Sequence, residues 1–377
     1  MLFVLTFFFF YLCMHGFTWT RFSSQLNLGS RTRMIGWPAC IFLAMTPIIA
    51  HLMPAAWPEP LVYVFWQVTF TWLGIIFYLF LFQLAFLVME LLFLPVAGRL
   101  GSRLSSGAAG ITVAFTLFIV GYGFMEASRP LKVKDYQLYS CRLDRDLRIV
   151  FVSDVHLGVQ KSMQRLQSLK ELIQDQEPDL IIFGGDILND HLEWMQDEAR
   201  LLSELNAGLG KYGVLGNHEF YAGVDASRDF FVRAGIELLE DRKKKLNNAN
   251  ISLIGISDPA PHIPFRPHQE QIILGLTENL DTSRFNILVS HRPWGFEIAR
   301  ESGVDLHLAG HTHKGQIFPF HLIVRLKYAH IYGLLQKDNA SQIVTSGASS
   351  WGPPIRVLAP PEIVRVDILP CLETNRL

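Results

Sequence analysis

Five apolar runs between residues 149 and 309 end in metal-binding side chains, and this repeated pattern constrains the fold more than any other feature. The first run, residues 149–152, is β-branched and aromatic and is followed by Asp154 and His156. Such residues favour strands, and side chains two positions apart on an extended chain point the same way. We therefore predict a buried strand that delivers a carboxylate and an imidazole to one ion.

The same arrangement recurs four times further along the chain. Helical patterns separate the apolar runs, as in residues 163–173, so the order of elements is that of βαβ units. Open α/β folds place ligand sites at the carboxyl ends of their strands. We therefore predict an α/β domain of two sheets with helices outside. The further residues that follow apolar runs are Asp186, Asn217, His218, His291, His311 and His313.

These side chains define the chemistry that the domain can perform. Carboxylates and imidazoles together suit Mn, Fe or Zn, and seven of them with the amide of Asn217 are more than one ion needs. Two ions that share a carboxylate polarise a phosphate and activate water for in-line attack on phosphorus. The sequence therefore predicts two divalent metal ions as cofactors and cleavage of phosphoester bonds.

The ordered motifs resemble the calcineurin-like metallophosphoesterase family over about residues 147–369. They are Asp-x-His, Gly-Asp, Gly-Asn-His-Glu, a lone His after a strand, and Gly-His-x-His. The resemblance implies a four-layer α/β/β/α domain, here residues 135–377, with His218 as the catalytic imidazole that protonates the leaving oxygen. It also implies a first metal held by Asp154, His156 and His313, a bridging Asp186, and a second metal held by Asn217, His291 and His311.

Two features of the motifs leave questions open. Family members often carry an Asp three residues beyond the bridging one, but this chain has Asn189 there with Asp190 next, so the partner that orients His218 is undefined. Arg292 and Arg356 could bind the substrate phosphate, because a guanidinium matches it with two parallel hydrogen bonds. They could equally be structural residues.

The first 126 residues are nearly devoid of acids and account for a mean hydropathy of +0.25, which is high for a soluble protein. Four stretches are long enough to cross a hydrocarbon core of about 30 Å. The third is longer than one crossing needs, and we interpret it as one tilted helix rather than a hairpin. The predicted spans are residues 1–19, 35–53, 63–94 and 107–125.

Charge places loops one and three of this anchor in the cytoplasm. Arginines occupy those two loops at positions 21, 31, 33, 99 and 103, whereas the second loop has no Lys or Arg. The positive-inside rule then puts the phosphoesterase domain outside, although Arg129, Lys132 and Lys134 count in the other direction. We predict an integral protein of a bacterial inner membrane; the charge count favours an external domain, and a cytoplasmic domain is the open alternative.

Three motifs narrow the resemblance to a membrane-anchored branch of the family: residues 290–294, 310–317 and 351–356. That branch includes transmembrane metallophosphoesterase-domain proteins and a UDP-2,3-diacylglucosamine pyrophosphatase of lipid A synthesis. The resemblance implies a lipid-linked substrate, because the anchor keeps the site at the bilayer surface. A UDP-linked lipid would be met in the cytoplasm; an external domain would instead act on a phospholipid or isoprenoid phosphate.

Other functional classes stay open at this point. A metal-free interaction module would be expected to have lost ligands, and a transporter would need ionisable residues in its spans, where only Glu90 qualifies. Balanced charge, with 33 Lys and Arg against 34 Asp and Glu, gives no basis for a nucleic-acid partner. Cys141 and Cys371 fall near the first and last predicted strands; we expect two separate thiols, with a disulfide as the alternative.

Overall fold

The computed structural model describes residues 2–53, 57–97, 100–158, 163–189, 192 and 195–371. These form two compact units. The first holds the described residues up to Met125 together with Gly352–Ile355, and the second begins at Glu126.

Long helices make up the amino-terminal unit: α1 (Leu2–Gln25), α2 (Ser30–Leu52), α3 (Glu59–Ala97) and α4 (Leu100–Ser128). Helix α3 is continuous over 39 residues, which confirms one long helix in place of a hairpin. Among the described residues, Ser30–Ala50, Pro60–Leu92 and Gly107–Ser128 are long and apolar enough to cross a bilayer.

Helix α1 is not among these three candidate spans. The first predicted span begins at Met1, which lies outside the described residues, so a fourth crossing stays a prediction. Glu90 of α3 pairs with Arg21 at 2.7 Å, an ion pair that accounts for the acid without a transport role.

The second unit contains two six-stranded sheets. The first sheet has the order β1-β12-β2-β3-β4-β5 and the second β10-β11-β9-β8-β7-β6. The strands are β1 (Lys132–Ser140), β2 (Leu147–Val152), β3 (Leu180–Phe183), β4 (Lys211–Gly213), β5 (Glu237–Leu238), β6 (Arg242–Leu246), β7 (Ile251–Ile256), β8 (Phe285–Ser290), β9 (Leu306–Ala309), β10 (Gly333–Lys337), β11 (Ala340–Val344) and β12 (Glu362–Pro370).

The two sheets pack face to face because their side chains alternate with period two. Along β2, Ile149 and Phe151 join a buried cluster that includes Leu253 and Ile287 of the second sheet. Val150, between them, belongs to the cluster on the opposite face. One apolar face of each sheet therefore packs against the other sheet, and the opposite face must be covered by other elements.

Helices cover the outer faces. Phe183 and other outward residues of the first sheet pack on Leu166 and Phe230, and Ile254 of the second sheet packs on Ile273 and Ala299. This arrangement confirms the predicted four-layer α/β/β/α fold. The helices are α5 (Met163–Gln174), α6 (Gln196–Ser203), α7 (Asn217–Ala222), α8 (Val224–Arg233), α9 (Phe265–Thr277), α10 (Phe296–Glu301) and α11 (His321–Lys327).

Strand direction determines where polar residues collect. Strands β2, β3 and β4 are parallel to one another, as are β7, β8 and β9. The carboxyl ends of each set therefore lie at one edge of their sheet.

The lysine cluster Lys243–Lys245 lies in β6, which pairs antiparallel with β7 at the edge of the second sheet, whereas β5 belongs to the first sheet. Lysines are common on exposed edge strands because they prevent pairing with other chains.

The expectation of two separate thiols at Cys141 and Cys371 was wrong. Strands β1 and β12 pair in parallel up to Ser140 and Pro370, so the next residue of each strand lies side by side. The two cysteines form a disulfide across a sequence separation of 230 residues.

Candidate metal centre

The predicted ligands come from five strand ends and converge on one site. Carboxylate and imidazole atoms within 4.8 Å of one another form three overlapping groups. Asp186 belongs to two of the groups and His156 to two, so the groups are continuous rather than separate sites. The groups are Asp154 with His156 and His313, His156 with Asp186 and His218, and Asp186 with His291 and His311.

The first group places three potential ligand atoms in one small space. The Nε2 atoms of His156 and His313 are 3.1 Å apart, and Nε2 of His313 is 3.4 Å from Oδ1 of Asp154. All three side chains are buried. This is the set that the resemblance assigns to the first metal.

The second group shares Asp186 with its neighbours. Nε2 of His291 lies 3.0 Å from Oδ2 of Asp186 and 3.1 Å from Nδ1 of His311. On its other side the His291 ring contacts the carbonyl oxygen of Gly184 through Nδ1, at 2.9 Å. That contact fits a proton on Nδ1 and leaves Nε2 as the atom for a metal.

Asn217 and His218 begin helix α7 beside Asp186. The backbone N–H of His218 donates to Oδ1 of Asp186 at 2.9 Å, and Nε2 of His218 is 4.0 Å from Oδ2. The His218 ring meets the rings of His156 and Tyr221 edge to face. Oδ1 of Asn217 accepts a hydrogen bond of 3.3 Å from Arg292. Asp190, adjacent to the unexpected Asn189, lies outside the described residues.

The backbone at the site is strained. Five predicted ligands adopt the left-handed region that non-glycine residues rarely occupy: Asp154, His156, Asp186, His311 and His313, with φ between 46° and 68°. Such conformations persist where the surrounding structure enforces them, and they cluster at functional sites. The strand ends are therefore shaped to aim these side chains inward.

Burial and mutual charge set the protonation of the site. Burial raises the pKa of Asp154 to about 6. Burial would also raise the pKa of Asp186, but His291 and His218 outweigh it and hold that pKa well below its usual range. Burial would lower the pKa of His291, whereas Asp186 raises it to about 10. Asp186 and His291 thus stabilise each other's charged forms.

The imidazoles of His311 and His313 stay neutral. Burial, reinforced by Arg292, holds the pKa of His311 well below its usual range, and burial with Arg356 does the same for His313. Neutral imidazoles are the form that binds metals.

The donor set fits divalent cations. Two pairs of imidazole nitrogens face each other at 3.1 Å, close enough for both atoms of each pair to bind one cation. Buried carboxylates accompany both pairs and supply the negative charge that a dication needs. Cations would bind between His156 and His313, and between His291 and His311.

Glu219 has a role that the sequence reasoning missed. Its fully buried carboxylate accepts hydrogen bonds of 2.7–3.0 Å from the backbone N–H groups of Gly216, Asp186, Ile187 and Leu188. It thereby connects the loop after β3 to the loop after β4. The sequence feature that could have revealed this role is the position of Glu219 directly after Asn217 and His218 in the Gly-Asn-His-Glu motif.

Arg292 lies beside the second group, held by a residue that the sequence reasoning also missed. It pairs with buried Asp258 at 2.6 Å and rests over the ring of Phe265 at 4.4 Å. Asp258 lies two residues after the end of β7, just as Asp154 lies two residues after the end of β2. This position in the sequence could have identified Asp258 as a site residue. A phosphate contact by Arg292 stays a prediction.

Arg356 requires a correction. The side chain is fully buried and donates to the carbonyl oxygens of Ser346 and Ala359 at 2.9 Å, and also to that of Ser349. Its Nη2 faces Nδ1 of His313 at 3.2 Å. Because no part of the guanidinium is exposed, we replace the substrate-binding prediction with a structural role beside a predicted metal ligand.

Comparison with known proteins agrees with this geometry. The family model for calcineurin-like phosphoesterases matches residues 147–315. This span contains all eight predicted site residues, of which Asp154 is the first and His313 the last. An uncharacterized metallophosphoesterase of Helicobacter pylori strain J99 is 32% identical over 267 residues, 69% of this chain and 70% of the relative. The chain belongs to the calcineurin-like metallophosphoesterase family.

Two further relatives of this phosphoesterase differ in sequence identity and in the fraction of each chain that aligns. One from Aquifex aeolicus strain VF5, also an uncharacterized metallophosphoesterase, is 33% identical over 63% of this chain and 92% of its own length. A transmembrane protein with metallophosphoesterase domain from Danio rerio is 28% identical over 74% of this chain and 70% of its own length.

Membership settles the class of reaction. Calcineurin-like metallophosphoesterases are phosphoester hydrolases with a dinuclear metal centre, and this member has the side chains for one. Retention of these side chains disfavours the alternative of a metal-free interaction module.

Proposed function

We propose that this metallophosphoesterase hydrolyses a phosphoester or pyrophosphate bond in a membrane-borne lipid phosphate, on the external side of the bilayer. Phospholipids and isoprenoid phosphates are the substrate classes. The observation that carries the proposal is the disulfide between Cys141 and Cys371 in a chain with three candidate spans. Disulfides persist in oxidising compartments and are rare in the cytosol.

Arginine distribution supports the same side of the membrane. Arg21, Arg31 and Arg33 cluster between the first two predicted spans, and no Lys or Arg occurs between the second and third. This asymmetry and the disulfide are independent of each other, and both favour an external domain. A UDP-linked lipid such as UDP-2,3-diacylglucosamine would require the cytoplasmic side.

A short tether supports a substrate in the bilayer. Helix α4 ends at Ser128 and β1 begins at Lys132, so three residues separate the last candidate span from the phosphoesterase domain. Three residues reach at most about 11 Å. A relative from Danio rerio also combines the two parts, as its name states.

His218 is the proposed catalytic acid. When bound, the two metal ions supply Lewis acidity that withdraws charge from the phosphate. The rings of His156 and Tyr221 fix the His218 imidazole, and its Nε2, 4.0 Å from Asp186, can reach a leaving oxygen in the same space. Proton donation by His218 would stabilise that oxygen as its bond to phosphorus breaks.

Phosphate release from vesicles tests the function. The full chain, reconstituted with an isoprenoid phosphate or a phosphatidate, should release inorganic phosphate, and His218→Asn should lower the rate by about 100-fold or more while binding metal normally. His262→Asn, at an exposed histidine, is the matched control. Hydrolysis of UDP-2,3-diacylglucosamine with no activity on either lipid phosphate would contradict the proposal.

Thiol counting in a bacterial host tests the side of the membrane. The denatured, unreduced protein should expose two thiols, Cys13 and Cys40, and four after reduction. A periplasmic reporter fused after Leu377 should be active. Four thiols without reduction, with an inactive reporter, would place the domain in the cytoplasm.

A further inference from the structure

We propose that the segment from Phe318 to Lys327 inserts into the surface of a bilayer that contains anionic phospholipid, and thereby holds lipid beside the metal centre. This inference deepens the proposed function, since it names the surface that receives the substrate. Its exposed apolar side chains are Phe318, Phe320, Leu322, Ile323 and Leu326.

Exposure on this scale distinguishes the segment from a packed helix. Leu326 is 87% exposed, and helix α11 has no buried residue. Soluble domains seldom present several large apolar side chains together unless the surface binds a partner or a membrane. Phenylalanine and leucine are the side chains by which interfacial helices enter the acyl boundary.

Charge identifies the partner as anionic. No Asp or Glu occurs between Asp305 and Asp338, whereas Lys314, Arg325 and Lys327 lie in or next to the segment. Arg325 and Lys327 are exposed. Apolar side chains flanked by cations, without acids, complement the headgroups and acyl chains of anionic phospholipid. An apolar protein partner would leave these cations without a counter-charge.

The segment lies directly against the predicted ligands. It follows the turn that holds His313, and the backbone there is so close that a Cβ on Gly315 would lie 2.5 Å from Cα of His321. At the other end, Tyr328 meets the ring of His311 edge to face, with centroids 5.7 Å apart. A lipid bound to the segment would therefore have its phosphate close to the metal centre.

Depth-dependent quenching tests the contact in the full chain. Cys13→Ser and Cys40→Ser remove the free thiols, and Leu326→Cys then carries one solvatochromic label in vesicles of neutral or mixed neutral and anionic phospholipid. Val232→Cys is the matched control, since Val232 is an apolar side chain of α8 with 75% exposure. Leu322→Cys provides a second labelling site in the segment.

Acyl-chain quenchers should reduce the Leu326 signal about threefold more than the Val232 signal, and more strongly in anionic vesicles. Arg325→Glu should reverse the anionic preference. Equal quenching at the two positions would overturn the proposal, as would a blue-shifted Leu326 label that lipid quenchers do not reach, which would indicate a protein partner. The readout does not require turnover, so it is independent of whether the lipid phosphates are substrates.

Discussion

Glu219 controls the geometry of the metal centre although it is not a predicted ligand. Four backbone N–H groups donate to its buried carboxylate, and two of them belong to Asp186 and Gly216. Gly216 is required here, because a Cβ at that position would lie 2.7 Å from the backbone nitrogen of Asp186. The position of the Asp186 carboxylate thus depends on a side chain 33 residues away in sequence.

Glu219→Gln should destabilise the fold and weaken metal binding. The amide NH₂ would face backbone N–H donors, and a buried donor without an acceptor costs about 1–3 kcal/mol. We expect a lower midpoint of thermal unfolding and reduced metal content. The control is Glu301→Gln at an exposed carboxylate of α10. Equal stability and metal content in the two variants would contradict this role.

His307 is a buried histidine outside the metal centre. Its Nε2 contacts the hydroxyl of Ser290 at 2.8 Å, and its Nδ1 accepts from Gln342 at 3.0 Å. Burial lowers the pKa of His307 to about 3. The folded protein therefore keeps this ring neutral at pH values where an unfolded chain would protonate it.

Lowering the pH should reduce the free energy of unfolding of the wild type more than that of a His307→Gln variant. Between about pH 6.5 and pH 3 the unfolded chain binds a proton that the folded chain does not, so stability is lost as pH falls. The difference corresponds to about 1.4 kcal/mol per pKa unit. Urea unfolding at pH 7.5, 5.5 and 4.5 measures it, with exposed His262→Gln as control. Parallel pH dependence of wild type and His307→Gln would refute the assignment.

At the scale of elements, the edge strand β6 protects the second sheet. Its outward residues Arg242, Lys243 and Lys245 are exposed, whereas Leu246 is buried. An edge strand offers unpaired backbone groups to other chains, and exposed lysines oppose such pairing. The lysine cluster thus has a structural explanation that requires no anionic partner.

Replacing Lys243 and Lys245 with valine should promote self-association. The double variant would present a β-branched edge without charge, so we expect larger species by light scattering at high protein concentration. The control variant Arg233→Val removes an exposed charge from helix α8, and its light scattering should equal that of the wild type. Identical association of the two variants would contradict the protective role.

The sequence predicted those elements whose own residues specify them. Strand β2 has a β-branched composition, α5 has helical periodicity, and the ligands follow strand ends, so the fold and the predicted ligand set could be derived before the structure. Strand β6 could not, because its pairing with β7 outweighs the low strand propensity of lysine. Glu219 and Asp258 were missed because their partners are distant in sequence, and the burial of Arg356 depends on carbonyl groups of a folded loop.

At the scale of the whole molecule, three candidate spans precede a phosphoesterase domain that a disulfide closes between its first and last strands. The membrane helices, the disulfide and the basic apolar segment from Phe318 to Lys327 are the observations behind our proposal of a substrate that resides in a bilayer. Whatever the substrate, hydrolysis depends on one metal centre, whose side chains come from the strand ends of both sheets.

Metal content of the purified full chain tests that centre most directly. Elemental analysis by mass spectrometry after dialysis against chelator-treated buffer should find two transition-metal ions per chain, and at most one in an Asp186→Asn variant, because Asp186 is the proposed bridge. A wild-type protein without bound metal, or an Asp186→Asn variant that retains both ions, would contradict the account.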